Sequence, residues 1–348
     1  MSGVLVVGSG FVGTGIARSL AAAGTRVTLA SRGRPATPPA SYGAHWSALD
    51  ATVPEACGRL LDRLRPDRVV LVHGPSDVTW CEAHPAEAER AHTAVADNVA
   101  SLAPGARTVL ISTDNVFDGA APHNPESAPV SPANAYGRAK RRAEEVLLAT
   151  AADATALRVS LVYGYEPADA GKWLNFFASC AHRLLNGEPV RAPDDQWTTP
   201  IPVDDVARVT AALLAMDAPL PPVLHLGGPD RVTRAEWATT IADALGADRR
   251  LVVPVPKSLT RYASRPRNAC LTGELLPTLP ALRGLRTRGV DAAARALAAE
   301  FTPAGGAPAR VRGPGGGGGI RGAGQGGTKE TGVTGDTAHQ RGKLGGGA

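Results

Sequence analysis

The chain has 348 residues, of which 43% are hydrophobic, enough for a sizeable core in one large domain or two smaller ones. The formal net charge is +5, but six basic and two acidic residues from Ala304 onward leave residues 1–303 with only about +1. A nucleic-acid partner or an anionic membrane surface is therefore not indicated. No stretch approaches the roughly 18 uninterrupted apolar residues of a transmembrane helix. The chain also opens with a predicted strand rather than a signal peptide, so we expect a cytoplasmic protein.

The first half of the chain alternates predicted strands and helices. We predict strands at 4–7, 26–31, 45–49, 68–73, 107–112 and 155–159, and helices at 13–23, 54–64, 85–102 and 134–150. The runs at 68–73 and 107–112 are apolar and β-branched, which is typical of parallel strands that are buried on both faces. This order predicts an α/β fold with a Rossmann-type, doubly wound parallel sheet.

We interpret residues 1–165 as the dinucleotide-binding core. After residue 165 the alternation of predicted strands and helices becomes less regular. Predicted helices at 173–185 and 204–215 alternate with loops rich in Pro and Asp, so 166–303 is predicted to be a smaller substrate-binding lobe with segments that return to the core. Among the last 45 residues 18 are Gly. Such a segment cannot bury enough apolar surface to offset its ordering entropy, so we expect 304–348 to be disordered.

A glycine-rich loop directly follows the first predicted strand. Its sequence is Gly8-Ser9-Gly10-Phe11-Val12-Gly13, and a helical pattern follows it. In a dinucleotide-binding unit the first glycine permits a tight turn, the second lets the backbone approach a pyrophosphate, and the third lets the helix pack against the strand. These six residues are therefore predicted to bind a nicotinamide cofactor, with a plain structural turn as the alternative.

The end of the second strand bears on which form of the cofactor is bound. NAD-preferring sites place a carboxylate there, whereas this chain has Ser31 and Arg32. A hydroxyl and a guanidinium suit a 2′-phosphate. We therefore predict a preference for NADP(H), with NAD(H) still possible and with ordinary loop charges as the alternative.

A phenol, an ammonium and a hydroxyl are predicted to meet at the mouth of this site. Tyr136 and Lys140 share one face of the helix at 134–150, and Ser112-Thr113-Asp114 follows a buried strand whose end faces the ligand crevice. The phenol can exchange a proton with a substrate oxygen, a nearby ammonium lowers its pKa, and the hydroxyl orients a carbonyl. A half-buried Tyr beside a solvated Lys has the same pattern, but its place after the glycine loop favours hydride transfer.

These motifs resemble the extended short-chain dehydrogenase/reductase family, and in particular its dTDP-4-dehydrorhamnose reductase branch. The residues that carry the resemblance, over roughly residues 1–300, are Gly8-x-Gly10-x-x-Gly13, Ser112-Thr113-Asp114-Asn115-Val116-Phe117-Asp118-Gly119, Tyr136-Gly137-x-x-Lys140, Leu157-Arg158-x-Ser160-x-Val162-Tyr163-Gly164, Asp195-Gln196 with Pro200, and Arg265-Pro266-Arg267-Asn268. The resemblance implies that Thr113, Tyr136 and Lys140 are catalytic. It also implies that Lys140 holds the nicotinamide ribose and that Asp50 contacts the adenine.

The chain departs from the family pattern at four places. Its glycine loop is one residue shorter, Asn115 stands where the family has Tyr, and Leu161 stands where the reductases have a Trp that lines the sugar site. His92 stands where an Asn is expected, and it either replaces that residue's hydrogen bonds or fills space, with the latter favoured. These changes leave the redox residues intact and leave the substrate open.

Candidate substrate-binding residues lie in the second half of the chain. They are Asn175, Gln196, Trp197, Arg265 and Arg267. A guanidinium can bind a diphosphate and an indole can stack on a base or sugar, although each residue fits a structural role equally well. Four scattered cysteines without a Cys-x-x-Cys pair indicate neither a disulfide nor a zinc site, and no metal is predicted.

The leading hypothesis is an NAD(P)-dependent reductase that acts on a keto group of a nucleotide-activated sugar or a similar polyhydroxylated small molecule. One alternative is a nucleotide-sugar epimerase or dehydratase with tightly held NAD. The other is a non-catalytic, NADP-binding regulatory subunit, because the regulatory subunit of methionine adenosyltransferase resembles the same branch. The direction of reaction and the oligomeric state, including a homodimer, stay open.

Overall fold

A parallel sheet of seven strands organises the described residues, which are 3–170 and 173–301 of a computed structural model. The strands are β1 (Val4–Val7), β2 (Val27–Ser31), β3 (His45–Ala48), β4 (Arg68–Leu71), β5 (Arg107–Thr113), β6 (Ala154–Val159), β7 (Val162–Tyr163), β8 (Val190–Pro193), β9 (Trp197–Thr198), β10 (Ile201–Pro202), β11 (Val223–Leu226), β12 (Val232–Thr233), β13 (Val252–Val255) and β14 (Asn268–Ala269). The helices are α1 (Phe11–Ala22), α2 (Pro54–Leu64), α3 (Val78–Ala83), α4 (Pro85–Leu102), α5 (Ala135–Thr150), α6 (Phe176–Leu185), α7 (Val203–Ala215), α8 (Arg234–Leu245) and α9 (Val290–Phe301).

The central sheet has the strand order β11-β6-β5-β4-β1-β2-β3, and all neighbouring strands are parallel. From β1 the chain proceeds outward through β2 and β3, then returns to the other side of β1 for β4. The strand order therefore reverses between β1 and β4, which is where ligands bind in sheets of this kind. The prediction of an α/β, doubly wound sheet is confirmed.

Two apolar clusters lie on opposite faces of this sheet. Helices α1 and α7 pack on one face, with Ile16 and Leu213 fully buried, and α2, α4 and α5 cover the other, with Leu61 and Val99 buried. The strands β1 and β4 are buried on both faces, which explains why their sequences are almost continuously apolar.

A third cluster surrounds the fully buried Trp237 of α8 and includes residues of α6 and α9. It forms a smaller layer at the carboxyl edge of the sheet. The segment after residue 165 also supplies β11 and α7 to the central layers. The predicted helix at 173–185 starts later, at Phe176, because the Asn175 side chain accepts a hydrogen bond from the Ala178 backbone N–H and caps it.

Among the described residues, no helix is long and apolar enough to cross a membrane. The four cysteines are all buried and unbridged. The predicted disordered segment, 304–348, lies outside the described residues.

Candidate active site

A cleft of about 1590 Å³ opens at the carboxyl edge of the sheet, above the point where the strand order reverses. Residues from β1, β2, β5, α4, α5, the segment after β4 and the smaller layer line it. Sites for one small molecule usually enclose about 300–1,000 Å³. The cleft therefore has room for a dinucleotide and a second ligand side by side.

The glycine-rich loop forms one wall of this cleft, and its three glycines meet different surroundings. Gly8 has a φ of +115°, and a Cβ there would overlap the Val72 carbonyl. A Cβ on Gly13 would overlap the carbonyl of Gly8, whereas one on Gly10 would meet nothing within 4 Å. Close packing therefore requires glycine at positions 8 and 13. Gly10 instead leaves the backbone open towards the cleft.

Helix α1 starts at this loop and no side chain caps its N-terminus. The first N–H groups of an α-helix can donate to phosphate oxygens, which the helix dipole also favours. Ser9, Gly10, Phe11 and Val12 line the cleft, and Gly13 packs beneath them. The loop fits the pyrophosphate of a dinucleotide.

The predicted adenosine-contacting residues Ser31, Arg32 and Asp50 also line the cleft. The Ser31 hydroxyl is already engaged, since it donates to the Gly33 carbonyl at 2.8 Å and accepts from the Trp46 indole at 3.0 Å. The Arg32 side chain is exposed and forms no ion pair with any of the described residues. A 2′-phosphate at this end would therefore meet the Arg32 guanidinium before the Ser31 hydroxyl.

Thr113, Tyr136 and Lys140 come together at the centre of the cleft. Thr113 ends β5, and the N-cap Asn134 starts α5 by accepting a hydrogen bond from Gly137 N–H at 2.8 Å. A Cβ on Gly137 would overlap the Asn115 carbonyl, so this glycine lets α5 approach the end of β5. The close approach places the Tyr136 phenol near the Thr113 hydroxyl, which acts to lower the pKa of the phenol.

Lys140 is buried and its ammonium donates to the Ile111 carbonyl at 2.6 Å. Burial lowers the pKa of Lys140 to about 8, and the Glu144 carboxylate partly opposes that shift. Burial and the charge of Asp114 raise the pKa of the Tyr136 phenol. The expected lowering of this pKa by Lys140 is not found: the groups that lower it are Thr113 and Arg265, and burial and Asp114 outweigh them. The phenol keeps its proton, which is the state a proton donor needs.

The five predicted substrate-binding residues separate into two groups. Asn175 and Arg265 line the cleft, whereas Gln196, Trp197 and Arg267 do not. The buried Gln196 donates to the Pro266 carbonyl and accepts from Arg234 Nε at 2.7 Å. The Trp197 indole is in contact with two guanidiniums, those of Arg231 at 4.8 Å and Arg267 at 5.3 Å.

A cluster of guanidiniums lines the cleft, and only one of its members was identified from the sequence. The guanidinium carbons of Arg234, Arg265 and Arg261 lie 4.0, 4.9 and 5.8 Å from the centre of the Tyr262 ring. Arg234 Nη1 is buried and has no hydrogen-bond partner among the described residues. The spacing Arg261-Tyr262-x-x-Arg265 was a usable signal, whereas Arg234 lies inside the helix-capping box formed by Thr233 and Glu236 and has no distinguishing sequence signal.

Residues 1–287 match the protein family described as RmlD substrate binding domain. The chain belongs to this family. The resemblance to the dTDP-4-dehydrorhamnose reductase branch of the short-chain dehydrogenase/reductase oxidoreductases is thereby confirmed.

Several relatives are similar to this RmlD-family chain over part of its length. A probable low-salt glycan biosynthesis reductase of Haloferax volcanii is 31% identical over 227 residues, 64% of this chain and 75% of that protein. A dTDP-4-keto-6-deoxy-D-glucose reductase of Streptomyces niveus is 33% identical over 57% of this chain and 70% of that protein. The β subunit of methionine adenosyltransferase 2 of Rattus norvegicus is 29% identical over 65% and 68%.

Solved structures share the RmlD-family fold at lower identity. A dTDP-4-dehydrorhamnose reductase of Bacillus anthracis in complex with NADP has a TM-score of 0.69 at 21% identity, covering 87% of this chain and 100% of that one. A Thermus thermophilus UDP-glucose 4-epimerase in complex with NAD has a TM-score of 0.71 at 23% identity, covering 86% and 99%. These similarities establish the fold.

Asp114 gives this RmlD-family site a measurable dependence on pH. The carboxyl is buried and bonded to Asn115 Nδ2 at 2.8 Å and to Ser160 Oγ at 3.1 Å, yet burial dominates and raises its pKa from 3.8 to about 6. A carboxyl with a raised folded-state pKa stabilises the fold at low pH, and that stabilisation is lost as the pH rises through the folded-state value. We expect unfolding free energy to fall by roughly 3 kcal/mol from about pH 4 to above pH 6, relative to Asp114→Asn. Urea unfolding of both proteins across this range measures the difference, and parallel pH profiles would contradict the assignment.

Proposed function

We propose that this protein is an NADP(H)-dependent reductase of a keto group on a nucleotide-activated sugar or a similar polyhydroxylated small molecule. The observation that carries the proposal is that a single cleft contains the glycine loop, the Thr113, Tyr136 and Lys140 side chains, and a guanidinium cluster at its far end. This order matches a cofactor site, a reaction centre and an anion site in sequence along one groove.

The protein's own residues would have the following roles in binding and catalysis. The Gly8–Gly13 loop holds the cofactor pyrophosphate, Arg32 its 2′-phosphate, Asp50 its adenosine and Lys140 its nicotinamide ribose. When bound, the cofactor supplies a hydride. Thr113 orients the substrate carbonyl, and Tyr136 donates its proton to the oxygen as negative charge develops there. The nearby ammonium of Lys140 then stabilises the phenolate that is left.

The guanidinium cluster supports a substrate that carries phosphate. Burial lowers the pKa of Arg265 to about 10, so the group stays charged at neutral pH although it is largely removed from water. The described residues supply no carboxylate that forms an ion pair with Arg234, Arg261 or Arg265. A diphosphate would provide the missing negative charge. The name of the Streptomyces niveus relative, a reductase of a dTDP-linked keto sugar, agrees with this class.

Titration with NADPH and NADH, followed by nicotinamide fluorescence, tests the cofactor part. We expect NADPH to bind more tightly, and Arg32→Ala to weaken NADPH about tenfold to a hundredfold, since a charge-assisted hydrogen bond contributes about 1.5–3 kcal/mol. NADH binding should be nearly unchanged, and Arg250→Ala, an exposed arginine remote from the cleft, should alter neither affinity. A variant Arg32→Ala with unchanged NADPH affinity contradicts the NADP assignment.

Assays of the same purified protein distinguish a reductase from an epimerase or dehydratase and from a regulatory subunit. Oxidation of NADPH on adding a nucleotide-linked keto sugar supports the reductase. NAD that stays bound through purification, with isomerisation or dehydration of the sugar and no net consumption of cofactor, supports an epimerase or dehydratase. NADPH binding without turnover of any keto sugar supports a non-catalytic regulatory subunit, and the chain is similar to the β subunit of methionine adenosyltransferase 2.

A further inference from the structure

An exposed tryptophan lies in the wall of the cleft. Trp173 is 71% exposed, the largest exposed fraction among the large hydrophobic side chains of the described residues, although an indole is usually well buried. It lines the same cleft as the glycine loop and Tyr136. A single apolar side chain on an open surface needs no explanation, whereas one that lines a cleft beside charged groups is a candidate ligand contact.

One face of this indole is already covered. The guanidinium carbon of Arg261 lies 4.2 Å from the centre of the Trp173 ring, which is cation–π geometry. The contact restrains the plane of the ring. Because Trp173 stays 71% exposed with Arg261 in place, the uncovered side of the indole is open to solvent in the cleft.

Arg261 also connects the indole with the guanidinium cluster. Its guanidinium carbon is 5.8 Å from the centre of the Tyr262 ring, and Arg234 and Arg265 lie over the same ring at 4.0 and 4.9 Å. All four side chains line the cleft, as Trp173 does. The indole and the cluster therefore form one continuous surface.

The cluster also reaches the reaction centre. The charge of Arg265 acts to lower the pKa of Tyr136, so this guanidinium lies close enough to influence the phenol. The charge of Arg261 in turn lowers the pKa of Arg265, and Arg261 stacks on Trp173. Successive neighbours therefore lead from the phenol through two guanidiniums to the indole.

A nucleotide-linked sugar has its parts in a matching order. The sugar is joined to the diphosphate, the diphosphate to a ribose, and the ribose to the base. With the keto group at Tyr136 and the diphosphate at the guanidiniums, the base would lie beyond the phosphates, next to Trp173. An aromatic side chain can stack on any nucleobase, because every base has a π face.

We propose that Trp173 is a specificity-determining residue whose open face stacks on the nucleobase of the substrate, while Arg261 packs against its other face. The inference rests on the proposed function and narrows its substrates. Keto sugars that carry a nucleotide would be preferred over free sugars and sugar phosphates, because only the nucleotide-linked sugars have a base.

Calorimetric titration of the NADPH-saturated protein tests this contact, since bound NADPH keeps other nucleotides out of the cofactor site. The probes are dTDP, which has a base, and inorganic pyrophosphate, which has none. We expect Trp173→Ala to weaken dTDP binding about fivefold to 100-fold, the usual effect of losing one stacked base, and to leave pyrophosphate binding unchanged. Trp173→Phe keeps an aromatic ring and should lose less. Leu259→Ala, at a position that is 63% exposed and outside the cleft lining, should bind both probes like the wild type.

Two results would overturn the inference. One is an unchanged dTDP affinity in Trp173→Ala. The other is an equal loss for dTDP and pyrophosphate, which would mean that the substitution disturbs the guanidinium cluster instead of a base contact. Wild-type protein that binds NADPH but neither dTDP nor UDP would refute the nucleotide-linked substrate of the proposed function itself, so the two failures are distinguishable.

Discussion

Replacing Tyr136 with phenylalanine is expected to reduce kcat/KM for ketone reduction by about 10²–10⁴-fold, the usual contribution of a positioned general acid. The change removes one oxygen and leaves the ring, so its packing against His92 is kept. NADPH affinity should stay close to that of the wild type, because the glycine loop, Arg32 and Lys140 are untouched. Rapid-mixing measurement of NADPH oxidation, together with fluorescence titration of cofactor, checks both parts.

A matched control is available for this substitution. Tyr42 has a buried hydroxyl without a partner among the described residues, and it packs near α1, away from the reaction centre. Tyr42→Phe should leave turnover unchanged. Turnover of Tyr136→Phe within a fewfold of the wild type would show that another group delivers the proton.

Breaking the ion pair between Glu144 and Arg158 is expected to lower the unfolding free energy by about 3–5 kcal/mol. Both side chains are almost completely buried, and Arg158 donates to the carboxylate from Nε at 3.0 Å and from Nη2 at 2.8 Å. Ser112 Oγ donates to the same carboxylate. Glu144→Leu would leave the guanidinium buried without a counter-charge, directly beneath the segment that carries Thr113.

Urea unfolding of three variants tests this expectation. The double variant Glu144→Leu/Arg158→Met should lose less stability than Glu144→Leu alone, because it leaves no unpaired charge. Glu145→Leu breaks exposed pairs one residue away and should cost no more than about 1 kcal/mol. A loss below about 1 kcal/mol for Glu144→Leu would mean that water or another group compensates Arg158 once the carboxylate is removed.

The limits of the sequence appear most clearly at the substrate end of the cleft. Gln196, Trp197 and Arg267 have suitable chemistry and stand in family motifs, yet none of the three lines the cleft. Their neighbours decide this: Gln196 is bonded to Arg234, and Trp197 is covered by two guanidiniums. Chemistry and spacing alone do not reveal which way a side chain points when its strand has only two residues.

Three features can be derived from the order of residues: the strand–loop–helix at the N-terminus, the parallel sheet, and the pairing of Tyr136 with Lys140 on one helical face. These features depend on local periodicity, on glycine geometry and on a spacing of four residues, all of which can be read along the chain. The tertiary structure alone decided that Trp173 lines the cleft beside Arg261, that Arg234 joins the guanidinium cluster, and that the Tyr136 pKa rises. Those outcomes depend on burial and on side chains that are distant in sequence, and packing brings them together.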